Sequence, residues 1–107
     1  MNMGDVPHFS QAAFESHTAK GNWIIDFWAE WCGPCKIIGP EVEAAAGKLG
    51  GKAKVAKVNV DEEQDLAQLY EVMSIPTLLF IKDGEVVDRT VGVLEADEII
   101  EKANEVF

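Results

Sequence analysis

An apolar run that leads directly into a pair of cysteines constrains the fold of this chain more than any other feature. The run covers residues 23–29 and reads Trp-Ile-Ile-Asp-Phe-Trp-Ala. It predicts a strand because β-branched and aromatic residues favour strands. Cys32 and Cys35 follow, and apolar residues at helical spacing then predict a helix that begins at about Pro34. Strands separated by helices imply a parallel part of a sheet.

The rest of the chain continues this alternation and ends in a hairpin and a helix. Ser10 is placed to cap a first helix, and residues 53–60 predict a second strand. Asp61 is placed to cap a third helix, and we expect its buried stripe to hold four residues: Leu66, Leu69, Tyr70 and Met73.

The turn residues Asp83-Gly84 predict a β-hairpin between strands over residues 77–81 and 85–91. A last helix is predicted over about residues 95–106. The sequence therefore predicts an α/β fold with a central mixed sheet of four or five strands, flanked by about four helices. The fifth strand would precede Ser10, where Pro7 confines it to a sheet edge.

Length, charge and cysteine count limit the class of protein. The chain has 107 residues, and we expect one domain over residues 1–107. Nine basic and 19 acidic residues give a net charge of −10, which disfavours binding to nucleic acid or to anionic membranes. Two cysteines are too few for a disulfide-dense secreted domain, and no signal peptide or membrane span is visible. We expect a cytoplasmic monomer.

The spacing and position of the two cysteines favour redox chemistry. A cysteine at a helix N-terminus lies near free backbone N–H groups, which stabilise a thiolate. The alternative for a Cys-x-x-Cys pair is half of a zinc site, which needs about four ligands. The chain has no further cysteine, and its two histidines, His8 and His17, lie in the N-terminal region. We therefore expect no metal.

Four segments resemble the thioredoxin family. Residues 27–36, Phe-Trp-Ala-Glu-Trp-Cys-Gly-Pro-Cys-Lys, resemble its active-site segment, and residues 74–77, Ser-Ile-Pro-Thr, resemble its cis-proline loop. Residues 83–85 and 91–92 match its hairpin and its last glycine. The resemblance implies the thioredoxin fold, with helices on both faces of the sheet and the cysteines at the C-terminal end of a strand.

The resemblance also implies an activity and its partners. It implies a general protein-disulfide reductase that works through a redox-active disulfide and carries electrons from a thioredoxin reductase to oxidised target proteins, in electron transport and cell redox homeostasis. No cofactor beyond the dithiol is implied. Cys32 would be the exposed nucleophile and Cys35 the sheltered resolving thiol.

Two charged residues receive roles only from the resemblance. Strand alternation alone leaves open whether Asp26 faces solvent or the interior, where its pKa would be raised. The family's aspartate at this place lies beneath the second cysteine and helps to move its proton. Lys57 resembles the family's lysine near that aspartate, although the sequence alone equally allows a surface lysine.

The family's substrate-docking surface maps onto seven residues of this chain. It would accept an extended strand of the target beside the cis-proline loop. Val93 is larger than the residue usual in the family, which implies a narrower groove. The residues are Trp31, Gly33, Pro34, Ile75, Pro76, Gly92 and Val93.

Two other functions are alternatives to the reductase. The first is an oxidant or isomerase of disulfides, against which the Gly-Pro pair between the cysteines argues. The second is a binding module that clamps one partner without catalysis. Intact Cys32 and Cys35 argue against the clamp, because a clamp needs no thiols.

Overall fold

The computed structural model describes residues 6–107, in which a four-stranded sheet is flanked by four helices. The strands lie in the order β2-β1-β3-β4. Strand β1 pairs parallel with β2 and antiparallel with β3, and β3 pairs antiparallel with β4. The elements are α1 (Gln11–Thr18), β1 (Asn22–Trp28), α2 (Gly33–Lys48), β2 (Lys54–Asn59), α3 (Gln64–Leu69), β3 (Thr77–Lys82), β4 (Glu85–Val91) and α4 (Ala96–Val106).

The helices cover both faces of the sheet and create two hydrophobic cores. Ile24 of β1 packs in the core formed with α2 and α4, whereas the next residue, Ile25, packs in the core formed with α1 and α3. Each fully buried side chain of this size contributes about 1.5–3 kcal/mol to folding. Because side chains alternate along a strand, Asp26 shares the α2 face with Ile24.

The cap of α1 and the hairpin turn agree with the sequence predictions. The Ser10 hydroxyl accepts a hydrogen bond from the Ala13 N–H at 3.2 Å, which satisfies a free donor of the first helical turn. Asp83 and Gly84 have φ angles of 48° and 84°. Two successive positive φ values suit the tight turn that joins β3 to β4, and glycine adopts them without steric cost.

The third helix differs from the prediction in its start and in its buried face. Asp61 does not cap it; the helix begins three residues later, and the Asp61 N–H donates to Asn59 Oδ1 at 2.8 Å in a turn. The helix ends at Leu69, which is exposed, and Met73 is 91% exposed. The predicted stripe was wrong at both positions. Met73 lies after the helix, beyond the turn at Glu71 with φ 54°. Leu69 lies two positions after buried Ala67 and so on the opposite side of the helix.

The possible first strand is present only as an isolated bridge within the described residues. The Lys57 N–H donates to Pro7 O and the Phe9 N–H to Lys57 O, each at 2.8 Å, so His8 lies beside β2. Residues 1–5, on which part of this prediction falls, lie outside the described residues. Across residues 6–107, no helix combines the length and apolar character needed to cross a membrane.

Candidate active site

The cysteine pair lies where β1 passes into α2. Cys32 is the N-cap of α2, and its sulfur accepts a hydrogen bond from the Cys35 N–H at 3.1 Å. Pro34 occupies the first turn, where backbone N–H groups have no partner within the helix, so its missing N–H costs no hydrogen bond. The two cysteines form a disulfide with their Cα atoms 5.3 Å apart. One helical turn therefore brings both sulfurs to the same helix N-terminus.

The predicted difference in exposure between the cysteines is not observed. Cys32 is 4% exposed and Cys35 is 5% exposed, so the expectation of an exposed Cys32 was wrong. Neighbouring side chains explain the burial, because Trp28, Val60 and Ile75 pack against the pair.

The loop before β3 lies close to the disulfide. The Ile75–Pro76 peptide bond is cis, as the resemblance implied. The Cys32 sulfur lies 3.8 Å from the Ile75 carbonyl oxygen. The Gly92 N–H donates to Pro76 O at 2.9 Å, which joins the end of β4 to this loop. Gly92 has φ 96°, a conformation that favours glycine. The structure thus brings three segments together at the disulfide.

Apolar surface surrounds the buried sulfurs. Trp31 is 70% exposed, and its indole N–H donates to Asp61 Oδ2 at 2.9 Å. Gly33, Pro34 and Val93 are exposed. Ile75 and Gly92 are half-buried and Pro76 is buried. The seven predicted docking residues therefore differ in how much surface they offer.

Asp26 is buried in the sheet beneath α2. Its side chain is on the α2 face, and the residue is 1% exposed. No donor among residues 6–107 forms a hydrogen bond with Asp26 Oδ1. Burial raises the pKa of Asp26 from 3.8 to about 6; the positive charge of Lys57 opposes this rise, and the negative charge of Glu43 adds to it. A carboxylate with this pKa is suited to accept a proton near neutral pH.

A cavity of about 330 Å³ connects Asp26 with Cys35 and Lys57. Lys57 is opposite Asp26 in the register of β1 and β2. Its ammonium nevertheless pairs with Glu43, with Nζ 3.0 Å from Oε2. The structure therefore places Lys57 beside Asp26 without a hydrogen bond between them.

The comparisons agree with this geometry. A family model described as Thioredoxin matches residues 5–105. The thioredoxin of Bacillus subtilis is 48% identical over 92 residues, which cover 86% of this chain and 88% of that protein. The thioredoxin of Staphylococcus epidermidis is 50% identical over 88 residues, covering 82% of this chain and 85% of that protein. The chain belongs to the thioredoxin family.

A solved thioredoxin supports the same assignment through its fold. A mutant thioredoxin from Halobacterium salinarum superposes with a TM-score of 0.87 at 33% identity, covering 99% of this chain and 94% of that one. This member of the thioredoxin family is a protein-disulfide oxidoreductase that acts by dithiol–disulfide exchange. Thioredoxins need no cofactor, because the cysteine pair is itself the redox group. Residues 6–107 contain no cluster of metal-ligating side chains.

Sequence reasoning missed two residues near the site. Asp61 binds the Trp31 indole, and Glu43 binds Lys57. One signal for Glu43 was available, because it lies two helical turns after Cys35 and so on the same helix face. No comparable sequence signal links Asp61 to Trp31.

Proposed function

We propose that this chain carries electrons from a thioredoxin reductase to oxidised proteins of the cytoplasm. Thioredoxins work with reductases and target proteins in general. The observation that carries the proposal is the disulfide at the N-terminus of α2, with the Cys32 sulfur 3.8 Å from the Ile75 carbonyl. A target strand lying along this loop would bring its disulfide to Cys32.

In the proposed reaction, Cys32 acts as the nucleophile and Cys35 as the resolving thiol. The Cys32 thiolate attacks one sulfur of the target disulfide, forms a mixed disulfide, and releases the other sulfur as a thiolate, which takes a proton. Cys35 then attacks Cys32, and the target's second thiolate leaves. The target gains two electrons and two protons, while the Cys32–Cys35 disulfide is restored.

Asp26 is proposed to accept the proton of Cys35 during the second step. The cavity shared by Asp26 and Cys35 supports this role, since a proton can pass between groups that line the same space. Lys57 is proposed to act on Asp26 through its charge alone, without a hydrogen bond, so that it offsets only part of the rise that burial causes in the pKa of Asp26.

The seven docking residues are proposed to bind the target strand. Exposed Trp31 supports this role, because a large aromatic side chain at the surface is typical of a binding site.

A coupled insulin-reduction assay tests the proposed function. The oxidised chain is mixed with a bacterial thioredoxin reductase, the electron donor of that reductase, and insulin. We expect rapid insulin reduction that stops in the Cys32→Ser variant. If the reductase fails to reduce the chain while dithiothreitol succeeds, the proposed partner is wrong. If insulin is reduced no faster than by dithiothreitol alone, the electron-carrier function is wrong.

A further inference from the structure

Lys57 lies between two carboxylates and binds only one of them within the described residues. The β1–β2 register places it opposite Asp26, whose Oδ1 receives no hydrogen bond from residues 6–107. Its Nζ instead lies 3.0 Å from Glu43 Oε2. The Lys57 side chain is 14% exposed and the Glu43 side chain is 50% exposed, so the pair joins a largely buried ammonium to a carboxylate at the rim of the cavity.

Helix α2 positions Glu43 for this contact. Cys35, Gly39 and Glu43 follow one another at intervals of four residues and therefore share one face of the helix. At Gly39, an added Cβ would lie 3.7 Å from Lys57 Nζ, so the ammonium lies close to the helix backbone at that point. The same face thus presents the resolving thiol at one end and the partner of Lys57 at the other.

We propose that Glu43 is a positioning residue, which holds the Lys57 ammonium away from Asp26 and so keeps Asp26 a strong proton acceptor for Cys35. This inference rests on the proposed role of Asp26. An ammonium bound directly to Asp26 would stabilise the carboxylate and weaken it as a base. Glu43 reduces that effect because its carboxylate attracts the ammonium and lies 3.0 Å from Lys57 Nζ.

The cavity near Asp26 holds other charged and titratable groups, but Glu43 is the one that binds Lys57. His8, from the segment beside β2, and Lys36, from α2, line the same cavity. Neither forms an ion pair with Asp26 within the described residues. On the other side of β1, the register partner of Asp26 is Leu78, which carries no charge. Among these groups, Glu43 is therefore the one that holds Lys57.

The first experiment titrates Asp26 in the Glu43→Gln variant by carboxyl carbon NMR. Freed from its charged partner, Lys57 should shift toward Asp26 and lower the Asp26 pKa. We expect a shift of about half a pH unit, which corresponds to about threefold in the proton-binding constant. The acid limb of the insulin-reduction profile should move in the same direction. Glu105→Gln is the matched control, because Glu105 also contacts a lysine but lies on α4, outside the cavity.

A double-mutant cycle separates positioning from direct repulsion between Glu43 and Asp26. The effect of Glu43→Gln is measured again in a Lys57→Met background. If Glu43 acts through Lys57, its effect on the Asp26 pKa should fall to less than half. An equal effect in both backgrounds, or no effect of Glu43→Gln in the parent, would overturn the proposal. The NMR titration needs no turnover, so it tests the role of Glu43 independently of activity. The insulin-reduction rate of Asp26→Asn tests the proposed role of Asp26 as proton acceptor.

Discussion

At the scale of single residues, Asp26 links stability to pH. Burial raises its pKa from 3.8 to about 6. Below the lower value, both folded and unfolded chains carry the proton, and burial of Asp26 carries no ionisation penalty. Between the two values, the unfolded chain ionises first, so the free energy of unfolding falls as pH rises. Above a pH of about 6 the decrease in the free energy of unfolding is complete, and it amounts to about 3 kcal/mol.

We expect Asp26→Ala to stabilise the protein at neutral pH and to slow insulin reduction. The stability gain relative to the parent should grow by about 3 kcal/mol between acid and neutral pH. The small cavity left by alanine offsets part of the gain, but this offset does not depend on pH. Urea unfolding of both proteins on either side of the titration measures the difference. A pH-independent difference, or an unchanged rate of insulin reduction, would contradict the expectation.

Trp31→Ala should weaken target binding and leave folding intact. The side chain is 70% exposed, so its removal leaves no buried cavity. We expect KM for insulin to rise about tenfold, equivalent to ~1.4 kcal/mol, with little change in kcat. The unfolding free energy should change by less than about 0.5 kcal/mol. Val87→Ala, at an exposed apolar residue of β4, is the control. An equal rise of KM in both variants would show that exposed apolar area alone, and not Trp31, determines binding.

The sequence could identify the residues of the site better than their surroundings. Cys32 and Cys35 follow from their spacing and from the strand and helix on either side. The burial of Asp26 does not follow from the sequence. Alternation along β1 is compatible with Asp26 on either face of the sheet, and only the packing of α2 shows that its face is buried. The Lys57–Glu43 ion pair joins two elements, and its formation depends on how α2 lies over the sheet.

At the scale of elements, the N-terminus of α2 should determine which cysteine reacts first. Cys32 caps this helix and accepts the Cys35 N–H, so a thiolate there is stabilised by a hydrogen bond and by the helix dipole. In the reduced protein, we expect iodoacetamide to label Cys32 before Cys35 at neutral pH, as read by mass spectrometry. In the disulfide form the two cysteines are almost equally buried, so exposure in that form does not favour either one. Faster labelling of Cys35 would reverse the assignment.

The resolving step gives a second prediction for the same element. Cys35→Ser should accumulate mixed disulfides with target proteins, because the thiol that releases Cys32 is missing. Cys32→Ser should accumulate far fewer, since Cys35 lacks the cap position. Non-reducing gels of both variants after incubation with oxidised insulin provide the measurement. Comparable adducts in the two variants would contradict distinct roles.

The hairpin was predictable from a strong local signal; the third helix was also predicted, but its start and its buried face were not. The hairpin follows from two adjacent residues that tolerate positive φ. Helix α3 is six residues long, and the chain turns at Glu71, shortly after its end. The apolar sequence continues beyond that turn, so the periodicity predicted burial for Met73, which is exposed; Leu69, at the end of the helix, faces away from buried Ala67. The local pattern contains no information about where the tertiary structure ends the helix.

At the scale of the whole molecule, basic residues lie at both ends of the sheet, so the negative charge belongs to the molecule as a whole. Lys20, Lys52 and Lys54 line a cavity of about 380 Å³ near the start of β1 and β2. The cysteines lie at the other end of β1, close to acidic Glu30, basic Lys36 and Asp61, which binds Trp31. The net charge of −10 therefore gives the molecule a negative field that no single end accounts for.

This negative charge should make the chain react faster with cationic targets, and salt should remove the advantage. Charges of opposite sign accelerate encounter over a distance that shrinks from ~30 Å at 0.01 M salt to ~10 Å at 0.1 M. Two disulfide peptides of the same length, one flanked by lysine and one by glutamate, provide the measurement. We expect kcat/KM for the lysine peptide to fall across this range of salt and that for the glutamate peptide to rise, so that the two values converge. Parallel salt responses of the two peptides would show that the docking surface senses shape and apolar contact, and that the charge of the molecule does not select its targets.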